Sequence, residues 1–250
     1  MRYETFATPG PVSLDIRVPS GDVEIETDDV AETVVELEAR GRNSEELEQV
    51  AEISMRPRGD GFEVRVEVER GGRGMFRRNG DYRVRIAAPN GAGVRAQLAS
   101  ADISGRGRYG DVDVKLASGD VEFEQVDGQA SVDTASGDVS IERVGSARIN
   151  SASGDVEIEE SAEGAEVSTA SGDVQIGSVT AGEVRVNSAS GDIEVGIAKG
   201  SRLWVDAQSL SGDTSSEIDL DAGTPGEGDE GPLVELRARS MSGDVSIKRA

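Results

Sequence analysis

The sequence of 250 residues contains neither cysteine nor histidine. The absence of cysteine excludes disulfides, thiol nucleophiles and cysteine metal sites. The absence of histidine removes the commonest general base and the commonest metal ligand. Aromatic residues amount to only 3 %, with Trp204 as the single tryptophan, so we expect no aromatic groove for a sugar chain. Carboxylates are plentiful, and no one pair stands out for glycoside chemistry. We therefore predict a protein without catalytic residues.

Basic residues are also scarce, because 26 Lys and Arg stand against 49 Asp and Glu, which gives a formal net charge of −23. Neutralising nucleic-acid phosphates requires an excess of cations, so this balance excludes a nucleic-acid binder. Residues 1–6 lack the apolar core of a signal peptide, and no apolar run is long enough to span a bilayer. We therefore expect a cytoplasmic location and no transmembrane segment.

What the sequence does contain is a repeated tripeptide, Ser-Gly-Asp, which occurs eight times. The copies are Ser20-Gly21-Asp22, Ser118-Gly119-Asp120, Ser136-Gly137-Asp138, Ser153-Gly154-Asp155, Ser171-Gly172-Asp173, Ser190-Gly191-Asp192, Ser211-Gly212-Asp213 and Ser242-Gly243-Asp244, with Ser100-Ala101-Asp102 as a degenerate ninth. From Asp102 to Asp192 the aspartates recur every 17–19 residues, which indicates a stacked-repeat architecture.

Apolar and polar residues alternate on both sides of each Ser-Gly-Asp turn. In the copy at Ser153, Ala147 and Ile149 precede the turn, and Val156 and Ile158 follow it. A period of two on both sides predicts two half-buried strands in every repeat. Glycine supplies the backbone freedom that the turn needs, and Ser and Asp can form hydrogen bonds with nearby amides.

Two strands in a repeat of about 18 residues cannot bury their apolar face alone, so the repeats are expected to stack. Like residues recur in register, which favours parallel stacking with neighbouring repeats roughly 4.8 Å apart. The predicted fold is therefore all-β, a single-stranded parallel β-helix (β-solenoid), and the general crossover bias predicts a right-handed one. An antiparallel sandwich of hairpins is the alternative.

The N-terminal part, residues 1–93, departs from the regular repeat. It contains one full repeat, and residues 43–51 then predict a short helix. A hairpin around residues 57–61 and a basic loop follow. We expect the helix to cover the first repeat, because open strand edges need protection.

Residues 94–250 predict the regular part of the solenoid. An acidic loop at residues 221–232 interrupts it and lengthens the last interval between turns. Residues 233–239 and 245–248 are then expected to form the closing repeat.

The chain resembles the bacterial DUF4097 family, whose members are often labelled adhesins or β-strand-repeat proteins. The stretches that carry the resemblance are residues 11–16 (PVSLDI) before Ser20, residues 84–91 (VRIAAPNG) and the array typified by residues 151–158 (SASGDVEI). Residues 203–205, 220–221 and 234–239 are similar to those of cytoplasmic-type actinobacterial members. The resemblance implies a single-stranded right-handed β-helix, with no enzyme activity and no catalytic residues.

The first candidate site is a ladder of turn aspartates, namely Asp120, Asp138, Asp155, Asp173 and Asp192. Stacked carboxylates could bind Ca²⁺, a hard cation that takes several oxygen ligands. The alternative is that each carboxylate accepts hydrogen bonds from the amides of its own turn. The glycine-aspartate nonapeptide of calcium-binding β-rolls is absent, which favours the alternative. We expect no other cofactor.

The second candidate site is the basic loop at residues 70–79. Its proposed contact residues are Arg73, Met75, Phe76, Arg77 and Arg78. An apolar pair flanked by cations could dock an acidic partner or touch a layer of lipid headgroups. The alternative is a solvated hairpin loop.

From these features we predict a non-enzymatic interaction or scaffold protein with an unidentified protein partner. Surface adhesion is an alternative that would require export. A cation-binding solenoid that uses the aspartate ladder is another, and a glycan-active enzyme would need a carboxylate pair beside an aromatic groove. Self-association through the solenoid ends is a further alternative, because uncapped stacks expose strand edges.

Overall fold

The computed structural model describes residues 1–40, 44–49, 51–68, 80–218 and 231–250. This part of the chain contains eighteen strands and one helix, so the predicted all-β class is confirmed. The chain divides into two units, Met1–Asp127 and Gly128–Ala250, which are described separately. The division between residues 93 and 94, which followed from repeat regularity, stays a prediction.

Unit 1 contains the helix and the more irregular strands. Its elements are β1 (Arg2–Ala7), β2 (Val12–Asp28), β3 (Glu32–Arg40), α1 (Ser44–Gln49), β4 (Ala51–Arg58), β5 (Gly61–Val68), β6 (Asp81–Pro89), β7 (Ala92–Ser118) and β8 (Val121–Thr134), which contains the boundary. The elements of unit 2 are β9 (Val139–Ser153), β10 (Val156–Ser161), β11 (Gly164–Ser171), β12 (Val174–Val179), β13 (Gly182–Ser188), β14 (Ile193–Ile197), β15 (Arg202–Ser209), β16 (Thr214–Ser216), β17 (Leu233–Ser240) and β18 (Val245–Arg249).

The strands of unit 2 pair in parallel in two rows, with like residues in register. Strands that follow a turn lie in the order β9, β10, β12, β14, β18 and β16. Strands that precede a turn lie in the order β9, β11, β13, β17 and β15. Val156 pairs with Val139 on one side and Val174 on the other, and each is 1 % exposed. Identical residues thus form continuous columns inside the unit, which buries what one repeat cannot bury alone.

The last repeat in the sequence is not the last in the stack, so the prediction of a closing repeat at residues 233–239 and 245–248 is wrong. β17 lies between β13 and β15, and β18 lies between β14 and β16. The reason is that β18 has apolar side chains at its inward positions and β16 has polar ones. Ile247 of β18 is buried, whereas Ser216 is its partner on β16. A repeat with polar residues after its turn can end a stack but cannot fill its interior.

The first repeat of the sequence is also an interior one. β2 pairs in parallel with β7 on one side and with β5 and β6 on the other. Leu14 and Ile16 of β2 are fully buried. The prediction that the helix covers this repeat is wrong, because β5 and β6 occupy that side and α1 packs against β3 and β4.

Antiparallel strands cover the outer edges of β5 and β6. β4 pairs with β5, which confirms the predicted hairpin, while β3 pairs with β6 and β1 pairs with β3. The predicted extension of the helix to residue 51 is wrong, since Ala51 belongs to β4 and lies opposite Val68. Pairing with β5 and burial of Ala51 outweigh the high intrinsic helix propensity of alanine, since tertiary contacts override propensity.

Stacking brings the glycines of successive turns against one another. All eight Ser-Gly-Asp glycines have positive φ, and Gly172, for example, has φ 126°. A Cβ atom at Gly172 would lie 2.1 Å from the carbonyl oxygen of Gly154. Any side chain here would both strain the backbone and collide with the neighbouring repeat, so the turn requires glycine for two reasons.

Candidate functional site

The turn aspartates form a ladder of hydrogen bonds between repeats. The backbone N–H of Asp155 donates to Asp138 Oδ1 at 2.9 Å, and Asp173 donates to Asp155 at 2.8 Å. The same bond joins Asp192 to Asp173 in unit 2 and Asp120 to Asp102 in unit 1. Each carboxylate therefore accepts a hydrogen bond from the backbone of the next turn in the stack. The sequence analysis had instead proposed, as the alternative to calcium binding, hydrogen bonds from the amides of the same turn.

The ladder continues to the end of the stack and follows its spatial order. Asp244 donates its N–H to Asp192 Oδ1, and Asp213 donates to Asp244 Oδ1, both at 2.8 Å. Within the described residues, no three or more acidic side chains converge in a way that could hold a metal ion. Calcium binding by the ladder stays a prediction. In Asp138, Asp155, Asp173 and Asp192, the carboxylate oxygen Oδ1 already accepts a hydrogen bond from a backbone amide.

A network of ion pairs crosses β2, β4 and β5 in unit 1, and sequence reasoning missed it. Glu63, buried at 6 % exposure, accepts hydrogen bonds from Arg56 and from Arg58, the latter at 2.9 Å. The hydrogen bond from Arg56, with the charges of Arg56, Arg58 and Arg65, lowers the pKa of Glu63 despite its burial. Arg65 also pairs with the buried Asp15 at 2.7 Å. The available signal was the placement of opposite charges at outward positions of strands that turn out to be neighbours.

A surface groove in unit 1 lies where β2, β3 and β6 approach one another. Val34 and Ala87 contribute apolar surface to it, and Glu24, Glu36 and Arg85 supply charge, around a volume of about 370 Å³. Arg85 Nε lies 2.9 Å from Glu24 Oε2. The hydrogen bond to Glu24 and the charges of nearby carboxylates raise the pKa of Arg85, so the guanidinium stays charged. Only strand pairing brings these residues together, and nothing in their sequence spacing indicated the groove.

An exposed apolar feature lies at the end of unit 2. Leu210 is 85 % exposed and Met241 is 62 % exposed. They lie side by side, because Ser209 pairs with Ser240 and the Leu210 N–H donates to the Ser240 carbonyl at 3.1 Å. We call these two residues the apolar corner.

The apolar corner is confined to the last two repeats of the stack. The position immediately before the turn serine is an exposed alanine in the preceding repeats, namely Ala135, Ala152, Ala170 and Ala189. The sequence signal was present, as a change from Ala to Met and Leu at one repeat position. It carried no meaning until the structure placed Met241 beside Leu210.

Trp204 lies on the outward face of β15 and is 43 % exposed. The guanidinium carbon of Arg237, on the neighbouring strand, lies 5.4 Å from the centre of the indole ring. This is a cation–π contact at the protein surface. The tryptophan thus belongs to the same end of the stack as the apolar corner.

The contact residues predicted in the basic loop lie outside the described residues. They are Arg73, Met75, Phe76, Arg77 and Arg78, and their role stays a prediction. Most of the acidic loop predicted at residues 221–232 also lies outside, up to residue 230. Among the described residues, no helix has the length and apolar character needed to cross a membrane.

The fold and the aspartate ladder place the chain among the all-β repeat proteins. Its parallel repeats are joined by backbone hydrogen bonds and also by hydrogen bonds to the side chains of the turns. Within that class the chain belongs to the Toastrack DUF4097 family, whose model matches residues 12–248. The resemblance found in the sequence is therefore confirmed. No curated protein that was compared with the chain matches it.

Three solved structures, each described as a "putative adhesin", share the fold. The one from Bacteroides fragilis has a TM-score of 0.55 at 10 % identity and covers 100 % of this chain and 96 % of its own. The one from Parabacteroides merdae has a TM-score of 0.53 at 13 % identity, with coverages of 98 % and 95 %. The one from Parabacteroides distasonis has a TM-score of 0.50 at 13 % identity, with coverages of 98 % and 96 %. At identities this low, the structural similarity shows a common fold and no more, because fold alone does not establish function.

Proposed function

We propose that the chain is a right-handed, single-stranded β-solenoid that acts as a non-enzymatic interaction or scaffold module. The observation that carries the proposal is the apolar corner, formed by Leu210 and Met241 on a strongly charged protein. Exposed apolar side chains that adjoin each other typically mark a contact surface. The handedness follows from the bias of crossover connections between parallel strands.

The carboxylates of the aspartate ladder and of Glu63 form hydrogen bonds between neighbouring strands and turns. Asp155 and its counterparts in the ladder accept backbone hydrogen bonds, and Glu63 is held by Arg56 and Arg58. These carboxylates are thus engaged in joining neighbouring strands, which is a structural role. A rigid body assembled in this way can present a contact surface at its end without rearrangement.

The proposal is tested by capture of partners on the purified protein, followed by cross-linking and mass spectrometry. The test variant carries Leu210→Ser and Met241→Ser. The matched control carries Ala152→Ser and Ala170→Ser, which change the same corner position in the middle of the stack. We expect a partner that cross-links beside residues 210 and 241 and is lost only with the test variant.

A further variant, with Arg73, Arg77 and Arg78 replaced by Ser, tests the basic loop as a second contact site. Retention of every partner by both the loop variant and the corner variant would contradict the interaction role at these two places.

Adhesion at a cell surface is the second candidate function. It is favoured by the structural relatives described as adhesins, and it would place the protein outside the cytoplasm. Protease treatment of intact cells separates the two locations. Degradation of the protein in intact cells supports surface display, and protection until lysis supports a cytoplasmic module.

Cation binding by the aspartate ladder is the remaining alternative. Calorimetric titration of the protein with Ca²⁺, and with Mg²⁺ as a control, measures it directly. Heat of binding that disappears in an Asp155→Asn, Asp173→Asn variant would support this role, because an amide keeps the hydrogen bond to the next turn and removes the charge.

A further inference from the structure

We infer that two copies of this chain associate through the free edge of β15, in an antiparallel arrangement centred on Trp204. This inference rests on the proposed interaction role and identifies the partner as a second copy of the chain.

β15 is an edge strand within the described residues. β17 pairs with β13 on one side and with β15 on the other, whereas β15 pairs with β17 alone. The N–H groups of Arg202 and Leu210 donate towards β17 and its flanking residues. Because backbone groups alternate along a strand, those of Leu203, Val205 and Ala207 point to the free edge. A row of unpaired N–H and C=O groups is a template for another strand.

The same strand leaves part of the interior column uncovered. Leu236 and Ala238 of β17 are fully buried, while their partners Val205 and Ala207 on β15 remain partly exposed. The apolar corner adjoins this edge through Leu210. A strand added to β15 would continue the column and cover side chains that one copy leaves in contact with water.

The sequence of β15 is complementary to itself when a two-fold axis passes through Trp204. In that register Arg202 of each copy lies opposite Asp206 of the other copy, so that two Arg–Asp pairs form. Leu203 of each copy lies opposite Val205 of the other. Opposite charges in facing positions stabilise an antiparallel pair. Shifting the axis to Asp206 would place two aspartates opposite each other, which is destabilising.

The pairing geometry strengthens this choice of register. Residues 202, 204 and 206 direct their backbone groups towards β17, so across the new interface they occupy positions without mutual hydrogen bonds. Facing Cα atoms at such positions are about 4.5 Å apart, which is the closest approach in an antiparallel pair. The Arg–Asp pairs and the two indoles would thus meet at short range, and β15 itself carries one positive and one negative charge.

The first test uses the absence of cysteine from the natural sequence. In the inferred register, Trp204→Cys places two thiols within the Cα separation that a disulfide allows, roughly 4.4–6.8 Å. Gln208→Cys, also outward and exposed on β15, faces residue 200 of the second copy and serves as the matched control. Under mild oxidation we expect Trp204→Cys to form a covalent dimer and Gln208→Cys to remain monomeric.

The second test swaps the charges. Light scattering over a concentration series should show the 26.2 kDa chain associating to twice that mass. We expect Asp206→Arg to abolish the dimer, and the double variant Arg202→Asp, Asp206→Arg to restore it. Thermal melting of each variant confirms that the fold is retained.

The inference is overturned if the natural chain stays monomeric throughout, or if both cysteine variants cross-link equally. A monomeric chain that still captures a partner through Leu210 and Met241 would leave the proposed function in place and remove only the dimer. A monomer that captures nothing would remove both.

Discussion

The backbone N–H of Asp173 donates a hydrogen bond of 2.8 Å to Oδ1 of Asp155, one repeat earlier in the stack. The side chain of one turn therefore satisfies the main chain of the next. A carboxylate at this position reaches the neighbouring repeat, about 4.8 Å away. The same kind of bond, from the N–H of the next turn in the stack, is accepted by Asp102, Asp138, Asp173, Asp192 and Asp244.

Replacing Asp155 separates its hydrogen-bonding role from its charge. Asp155→Asn keeps a carbonyl acceptor, so we expect little change in stability. Asp155→Ala removes the acceptor, at a cost of about 0.5–1.5 kcal/mol, and should accelerate hydrogen exchange at the Asp173 amide. Urea unfolding and amide exchange measure the two effects. Equal exchange rates at Asp173 in the Asn and Ala variants would contradict the ladder.

Two glycines separate backbone strain from steric collision. Gly172 (φ 126°) and Gly200 (φ 89°) both have positive φ, but a Cβ atom would meet a carbonyl oxygen at 2.1 Å only at Gly172, and no atom within 4 Å at Gly200. Gly200→Ala should cost about 1–2 kcal/mol, from conformation alone. Gly172→Ala should cost several kcal/mol, roughly 3 or more, because the repeats must also separate. Thermal and urea unfolding measure which variant is destabilised more. Equal destabilisation of the Gly172→Ala and Gly200→Ala variants would exclude a steric collision at Gly172.

Glu63 should make the stability of unit 1 depend on pH. Its pKa is lowered in the folded protein, chiefly by Arg56. Its contribution is therefore complete above the unfolded pKa of about 4.3 and is lost as the pH falls through the folded pKa. Glu63→Gln should destabilise the protein at pH 7, and its stability should approach that of the natural chain only as the pH falls below about 4.3 and through the lowered folded pKa.

The control for this prediction is Glu26→Gln. Glu26 is exposed and lies 3.9 Å from Arg106, so its replacement should change stability by less than about 1 kcal/mol at any pH. Urea unfolding between pH 3 and 7 measures both variants. A constant difference between the natural chain and Glu63→Gln across this range would argue against the depressed pKa.

Tyr109 anchors β7 to β2 from inside unit 1. It is fully buried, packs edge-on against Phe123 at 5.2 Å between ring centres, and donates its hydroxyl to the Ile25 carbonyl at 2.7 Å. Burial raises the pKa of the phenol, so the hydroxyl remains a donor at all physiological pH values. Tyr109→Phe leaves a buried carbonyl without that donor and should cost about 1–3 kcal/mol.

The exposed Tyr3 on β1 provides the matched control, and Tyr3→Phe should be nearly neutral. Urea unfolding compares the two variants. If they were equally stable, the hydrogen bond to Ile25 would contribute nothing to the folded state.

The repeat itself was predictable from the sequence, because alternation around Ser-Gly-Asp reports on strands that any stack must contain. The order of the repeats was not predictable in the same way. The copy at Ser211 carries Thr214 and Ser216 where other copies carry Val, Ile or Phe, and only the structure shows that this copy ends the stack. Elements that are neighbours in sequence are neighbours in space only about two-thirds of the time, so the order of repeats along the chain does not fix their order in the stack.

The candidate site, too, was predictable from the sequence only in part. The sequence placed the turn aspartates in one column, but only the structure showed that their oxygens bind the amides of the next turn. Met241 and Leu210 are 31 residues apart in the sequence and became neighbours only because one repeat inserts beside another.

By itself, the sequence determined the class of fold, the position of the Ser-Gly-Asp turns and the exclusion of thiol and imidazole chemistry, since these depend on composition and on local periodicity. The tertiary structure alone decided which repeat ends the stack, which charges pair across strands and which apolar residues stay exposed. Those outcomes depend on contacts between distant segments, and such contacts are selected by how well each repeat fills the interior of its neighbours.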